Sequence, residues 1–175
     1  ELRAQRFGFV FQQAHLVSNL TLFENVAVPG YLKTGRSAAD TRAVAQAFVE
    51  RMGLDADAHH LPSQASGGQQ QRCAVARSVV NDPDIVFADE PTGALNRANT
   101  LEVLSLLCEL NGSGQSICMV THDVLCALRA NRVLYLEDGS IKGELELPVF
   151  RGDDGGAYLK ARDAQVNAWL SSLAW

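Results

Sequence analysis

The chain predicts an α/β fold built on a parallel sheet, and three observations carry that expectation. Three short apolar runs read as buried strands: Phe7-Gly8-Phe9-Val10-Phe11, Ile85-Val86-Phe87-Ala88 between Pro83 and Pro91, and Ile117-Cys118-Met119-Val120. Helical patterns separate them, and strand–helix–strand alternation implies parallel neighbours. Each run ends in polar residues: Gln12-Gln13, Asp89-Glu90 and Thr121-His122-Asp123. Open parallel sheets gather ligand chemistry at the carboxyl ends of their strands.

The first strand, Phe7–Phe11, leads directly into Gln12, an amide that could reach a metal or a water, or simply begin a loop. Thr21 then caps Leu22-Phe23-Glu24-Asn25-Val26, with Glu24 completing a capping box. Pro29-Gly30 is expected to break that helix. Ser37 caps a second helix through Val44, Phe48 and Met52, which stops at Gly53. In Ser66-Gly67-Gly68-Gln69-Gln70-Gln71-Arg72, a serine and two glycines open a helix that ends before Asp82-Pro83. The glycines allow close approach of backbone N–H groups, and the helix start adds partial positive charge, which suits a phosphate as well as a plain capped loop.

The second strand ends in Asp89-Glu90, and strand alternation would send the two side chains to opposite faces. One carboxylate could hold Mg²⁺ and the other polarise a water. A helix from about Arg97 to Leu110 follows, with Leu101, Leu104, Leu107 and Leu110 as its apolar stripe. After the third strand, His122 could contact a ligand and Asp123 could cap the helix Val124–Ala130. Val133–Leu136 and Ile141–Leu147 form a hairpin around Asp138-Gly139. A Gly/Asp-rich linker, Gly152–Gly156, leads to a last helix through Val166, Leu170 and Leu173.

With 175 residues, 47% hydrophobic and 20% charged, the chain suits one globular domain. A net charge of −5 argues against a nucleic-acid partner. No apolar run reaches the roughly 20 residues of a membrane helix. Cys73, Cys108, Cys118 and Cys126 lack metal or disulfide spacing and read as small buried hydrophobes.

Together these segments resemble the ATP-binding subunit of an ABC transporter, over roughly residues 5 to 145. Phe11-Gln12 is similar to the Q-loop, Ser66-Gly67-Gly68-Gln69 to the signature motif, and Ile85–Glu90 to Walker B. Ala94-Leu95-Asn96 is similar to the D-loop, and Thr121-His122-Asp123 to the switch-histidine region. Thr21–Val26 and Glu90-Pro91-Thr92-Gly93 look most like the branch serving lipoprotein release, macrolide efflux and antimicrobial-peptide export.

The resemblance implies a P-loop NTPase-like (RecA-like) parallel core with an inserted helical subdomain, lacking its N-terminal part. The parts would be 1–19 (core strand and Q-loop), 20–82 (helical subdomain with the signature), 83–147 (core with Walker B, D-loop and switch histidine) and 148–175 (linker and helix). It implies ATP and Mg²⁺ as cofactors. Asp89 and Gln12 would serve the metal, Glu90 would orient or deprotonate the attacking water, and His122 would contact the γ-phosphate. Ser66, Gly67, Gly68 and Gln69, with Asn96, would face the nucleotide of a second subunit in a head-to-tail dimer. A transmembrane permease of the FtsX-like type would be the other partner, docking on the helical insert. The subunit would lie in the cytoplasm, against the inner face of the membrane.

Three departures qualify the resemblance. No G-x-x-x-x-G-K-[ST] occurs, so the chain is expected to be the later portion of a longer subunit and unable to turn over ATP alone. Ala65 stands where Leu usually opens the signature, and Asn96 where Asp is commonest in the D-loop. Two enzyme readings compete, a DNA-repair or chromosome-structure ATPase and a translation-factor ATPase, beside an inert truncated product. The first would need a coiled coil between Gln12 and Ser66, and no heptad repeat is sustained there.

Overall fold

The computed structural model describes residues 6–152 and 156–173. The chain forms two compact units that divide between Thr121 and His122. In the first, strands β1 (Phe7–Phe11), β2 (Ile85–Asp89) and β3 (Ser116–Val120) form a parallel sheet in the order β1-β2-β3. Phe11 is in register with Asp89, and Asp89 with Val120, so the three strands finish level. That brings Gln12, Glu90 and Thr121, each the next residue on, to one edge of the sheet.

Helices α1 (Leu22–Tyr31), α2 (Ala38–Arg51), α3 (Gly67–Val79) and α4 (Arg97–Gly112) complete this unit. Three begin at the expected caps. The Thr21 and Ser66 hydroxyls accept from Glu24 N and Gln69 N in full capping boxes, and Ser37 accepts from Asp40 N. Helix α3 buries its middle and later turns, with Cys73, Ala74, Val75 and Ala76 at 0% exposure. Burial pushes the Cys73 thiol up to about 12, so it stays protonated, and it donates to the Leu22 carbonyl at 3.3 Å.

Several expectations are corrected. Helix α1 does not break at Pro29-Gly30 but runs through both to Tyr31. Proline removes one N–H bond near the helix end, and packing on α2 and α3 outweighs that local loss. The buried stripe of α2 is Thr41, Ala45 and Val49, not Val44 and Phe48, which lie half-buried on its flank. The two helices meet closely at Gly30, where an added Cβ would lie 2.7 Å from the Thr41 methyl, so small side chains face inward. On α4 the buried set is Thr100, Val103, Leu104, Leu107 and Leu110, while Leu101 is exposed. A strict three-residue spacing drifts around a helix of 3.6 residues per turn, and the stripe rotates away from Leu101.

The sheet is covered unequally. Val10, Val86 and Ala88 are buried, whereas Phe7, Phe11, Phe87 and Val120 are 38%, 41%, 38% and 65% exposed. Cys118 is exposed too, against the expectation of burial. Cys73 and Cys126 are buried, and Cys108 is half-buried.

The second unit holds the short helix α5 (Val124–Ala127), the hairpin β4 (Arg132–Glu137) and β5 (Ser140–Glu146), and helix α6 (Ala157–Ser172). Asp138 and Gly139 make the turn at φ of 47° and 71°. Its core is Leu128, Leu147, Val166 and Leu170. Buried Arg162 donates to the carbonyls of Leu128, Ala130 and Pro148, each at 2.6 Å, tying α6 to the chain that leaves α5. Among the described residues no helix is long and apolar enough to cross a membrane.

Candidate functional site

The carboxyl edge of the parallel sheet brings together Gln12, Asp89 and Glu90. Asp89 closes β2, with its carboxylate exposed. Glu90 is not a further strand residue. Its φ is 45°, in the left-handed region, so the two carboxylates are separated by a backbone turn rather than by strand alternation. Such a conformation in a non-glycine residue costs on the order of 1–3 kcal/mol and persists only where surroundings fix it. Here Glu90 N donates to the Val120 carbonyl at 2.8 Å, and the Thr121 hydroxyl donates to Glu90 Oε2 at 3.0 Å. Gly93 N returns to the Glu90 carbonyl at 3.0 Å.

Gln12 leaves β1 beside this turn. A Cβ on Gly93 would come within 3.0 Å of Gln12 Nε2, so the bare glycine backbone provides the space in which the Gln12 amide lies. Asp89 and Gln12 thus offer a carboxylate and an amide oxygen on adjacent strand ends. Among the described residues no cluster of three His, Cys, Asp or Glu could cage a metal. That donor set fits Mg²⁺, which keeps several waters and takes one or two protein oxygens plus substrate phosphates.

The Ser66 turn is built differently. The Ser66 hydroxyl accepts from Gln69 N at 3.3 Å, and Gln69 Oε1 accepts from Ser66 N at 2.7 Å. The Gln69 amide donates onward to Asp57 Oδ2. The Gln69 side chain is therefore engaged by residues of its own chain. Asn96 is the N-cap of α4, its Oδ1 accepting from Asn99 N at 3.0 Å. An Asn at that position keeps the cap that an Asp would give. His122 opens the second unit, and Asp123 caps α5 by accepting from Leu125 N at 2.8 Å.

Sequence reasoning missed the residues that hold these segments in place. Gln71, 2% exposed, donates from Nε2 to the carbonyls of Phe11 at 2.8 Å and Pro91 at 2.7 Å. Arg77 donates to the carbonyls of Ala14 and His15, clasping the segment after Gln12. Buried Asn25 donates to the carbonyls of Val17, Leu20 and Thr21 and so shapes the turn into α1. One signal was available: Gln71 falls in the buried face of α3 with Gly68, Val75 and Ser78, and a polar side chain there must find partners.

Comparison with known proteins gives the same reading. A family model described as "ABC transporter" matches residues 1–93. The chain is 44% identical over 141 residues to the macrolide export ATP-binding/permease protein MacB 2 of Aeromonas hydrophila, covering 81% of this chain and 22% of that protein. It is 46% identical over 140 residues to MacB of Bradyrhizobium diazoefficiens, covering 80% and 21%. The probable syringafactin export ATP-binding/permease protein SyfD of Pseudomonas syringae is 45% identical, with 81% and 21% covered. The chain thus spans about a fifth of the length of these relatives. Among solved structures, it resembles the dimeric bacterial ABC transporter cassette MJ0796, with a TM-score of 0.74 and 39% identity over 85% of this chain and 66% of that one. The same cassette in a post-hydrolysis dimer bound to ADP and Pi matches with a TM-score of 0.73. With a P-loop NTPase-like α/β core and a family match over more than half its length, this chain belongs to the ABC transporter family of ATP-binding proteins.

Proposed function

We propose that these residues form the hydrolytic and partner-facing parts of an ATPase subunit that drives export through a permease. The observation that supports this most is Glu90. A carboxylate kept in a strained turn, with Thr121 on its Oε2 and Asp89 and Gln12 on the neighbouring strand ends, suits a water-orienting base.

Phosphoryl transfer asks the protein for positioning and charge stabilisation more than covalent chemistry. Glu90 orients the attacking water and takes its proton. Asp89 and Gln12 would hold Mg²⁺, whose positive charge would offset the negative charge that develops during phosphoryl transfer. His122 donates to the γ-phosphate. In a head-to-tail dimer, the Ser66 hydroxyl and the N–H groups at Gly67 and Gly68 meet the γ-phosphate held by the partner, aided by the partial positive charge at the start of α3, while Gln69 caps the turn. Asn96 keeps the neighbouring helix start in place at that interface. Residues 1–175 contain no G-x-x-x-x-G-K-[ST], the loop that cradles the β-phosphate in P-loop enzymes.

The relatives described above are export ATP-binding/permease proteins by name. By likeness, the partner here is a membrane permease of the FtsX-like type, bound on the helical segment 20–82, and the subunit works in the cytoplasm on the inner face of the membrane. The test is Mg²⁺-dependent ATP hydrolysis by the full-length subunit and its Glu90→Gln variant. The expected result is turnover in the first and a loss of at least about 100-fold in the second, the scale of a lost general base. Equal turnover in both would remove Glu90 from this role.

A further inference from the structure

We propose that Gln71 is a positioning residue that ties the two halves of the ATPase machinery within one subunit. The inference rests on the function proposed above and adds a residue to it. Gln71 lies on α3, the helix whose start carries Ser66–Gln69. Its single amide nitrogen spends both hydrogens on backbone carbonyls far away in sequence, Phe11 O at 2.8 Å and Pro91 O at 2.7 Å. The Phe11 carbonyl belongs to the peptide unit that leads into Gln12. The Pro91 carbonyl belongs to the residue that follows Glu90. Both bonds lie beneath the carboxyl edge of the sheet, and Gln71 itself is 2% exposed, so water does not replace either one.

Three segments with separate jobs therefore meet on one nitrogen atom. Phe11 and Asp89 are already paired across β1 and β2, but the ladder ends there and leaves Gln12 and Glu90 beyond it. Gln71 supplies the tie past the end of the ladder. Because it rides on α3, a shift of that helix when its first turn engages the partner's γ-phosphate displaces the peptide units beside Gln12 and Glu90. Occupancy of one site is thereby communicated to the attack geometry of the other. A displacement of about 1 Å at a reacting group can cost on the order of 100-fold in rate. Gln71 touches no nucleotide in this scheme, so its loss acts on turnover and leaves binding alone.

The experiment uses the full-length subunit. Gln71→Met keeps the side-chain volume and removes both donors, while Gln71→Asn keeps the amide and shortens its reach so that it cannot serve both carbonyls. Steady-state hydrolysis gives kcat and KM for ATP, and light scattering on a Glu90→Gln background gives the ATP concentration needed for dimerisation. The expected result is a kcat lowered at least about tenfold, with KM and the dimerisation midpoint within about twofold of the unsubstituted protein. A kcat within twofold in a folded variant overturns the proposal. So does a parallel loss of turnover and dimerisation, or a chain that folds with neither substitution, because Gln71 is then a folding residue only. Failure of the underlying function looks different: the unsubstituted subunit itself neither hydrolyses ATP nor dimerises with it.

Discussion

The turn at Ser66–Gln69 and the turn at Glu90–Gly93 serve the same proposed reaction but are held in opposite ways. The Ser66 turn is closed by residues three apart, a hydroxyl and an amide that satisfy each other's backbone N–H groups. The Glu90 turn is closed from a distance, by Val120 at the end of β3, by Thr121 just beyond it and by Gln71 on α3. The first is a relaxed helix cap, and the second stores strain at a positive φ. The first turn is locally self-sufficient, whereas the second depends on residues distant in sequence.

Substitutions should separate the two. The largest effect is expected at Glu90→Gly, which removes the carboxylate and admits the left-handed backbone freely. Turnover should fall at least about 100-fold. Stability should stay within about 1 kcal/mol of the parent, because relief of strain offsets the lost Thr121 bond and the added chain entropy of glycine. Thermal unfolding beside the ATPase assay checks this, and a large drop in Tm would mean that Glu90 is a structural residue. Next in size is Gly93→Ala, whose new methyl would press on Gln12 Nε2 at 3.0 Å. Displacing that amide should lower turnover by roughly 3- to 10-fold with little change in Tm. Ser66→Ala should do the reverse and cost about 1 kcal/mol of stability, or about 2–4 °C in Tm, by deleting the cap on α3. A Ser66→Ala protein with an unchanged Tm would show that the local cap is not what holds that turn.

The same contrast explains what was legible in the sequence. Features closed by near neighbours could be read directly: the caps Thr21, Ser37 and Ser66, the Asp138-Gly139 turn, and the three strands with their polar ends. Features closed across the fold could not. Nothing local marks Glu90 for a positive φ, since the bonds that enforce it come from β3. Gln71 reads as one more polar residue in Gln69-Gln70-Gln71 until β1 and the Pro91 turn are placed above it. The inward face of α2 was misjudged by hydrophobicity because contact with α1 at Gly30 selects for small side chains instead. Pro29 was judged on local grounds that packing overrides.

The central claim is that one ATP is served by Glu90 of one subunit and the Ser66 turn of another. Mixing two variants tests it most directly: Glu90→Gln, which lacks the base, and Ser66→Arg, which blocks the anion-facing turn. Each alone has a defect in both sites of its dimer. In a mixed dimer one site carries both defects and the other carries none. The account predicts that mixing the two inactive subunits restores ATP hydrolysis. A mixture as inactive as its components would contradict it.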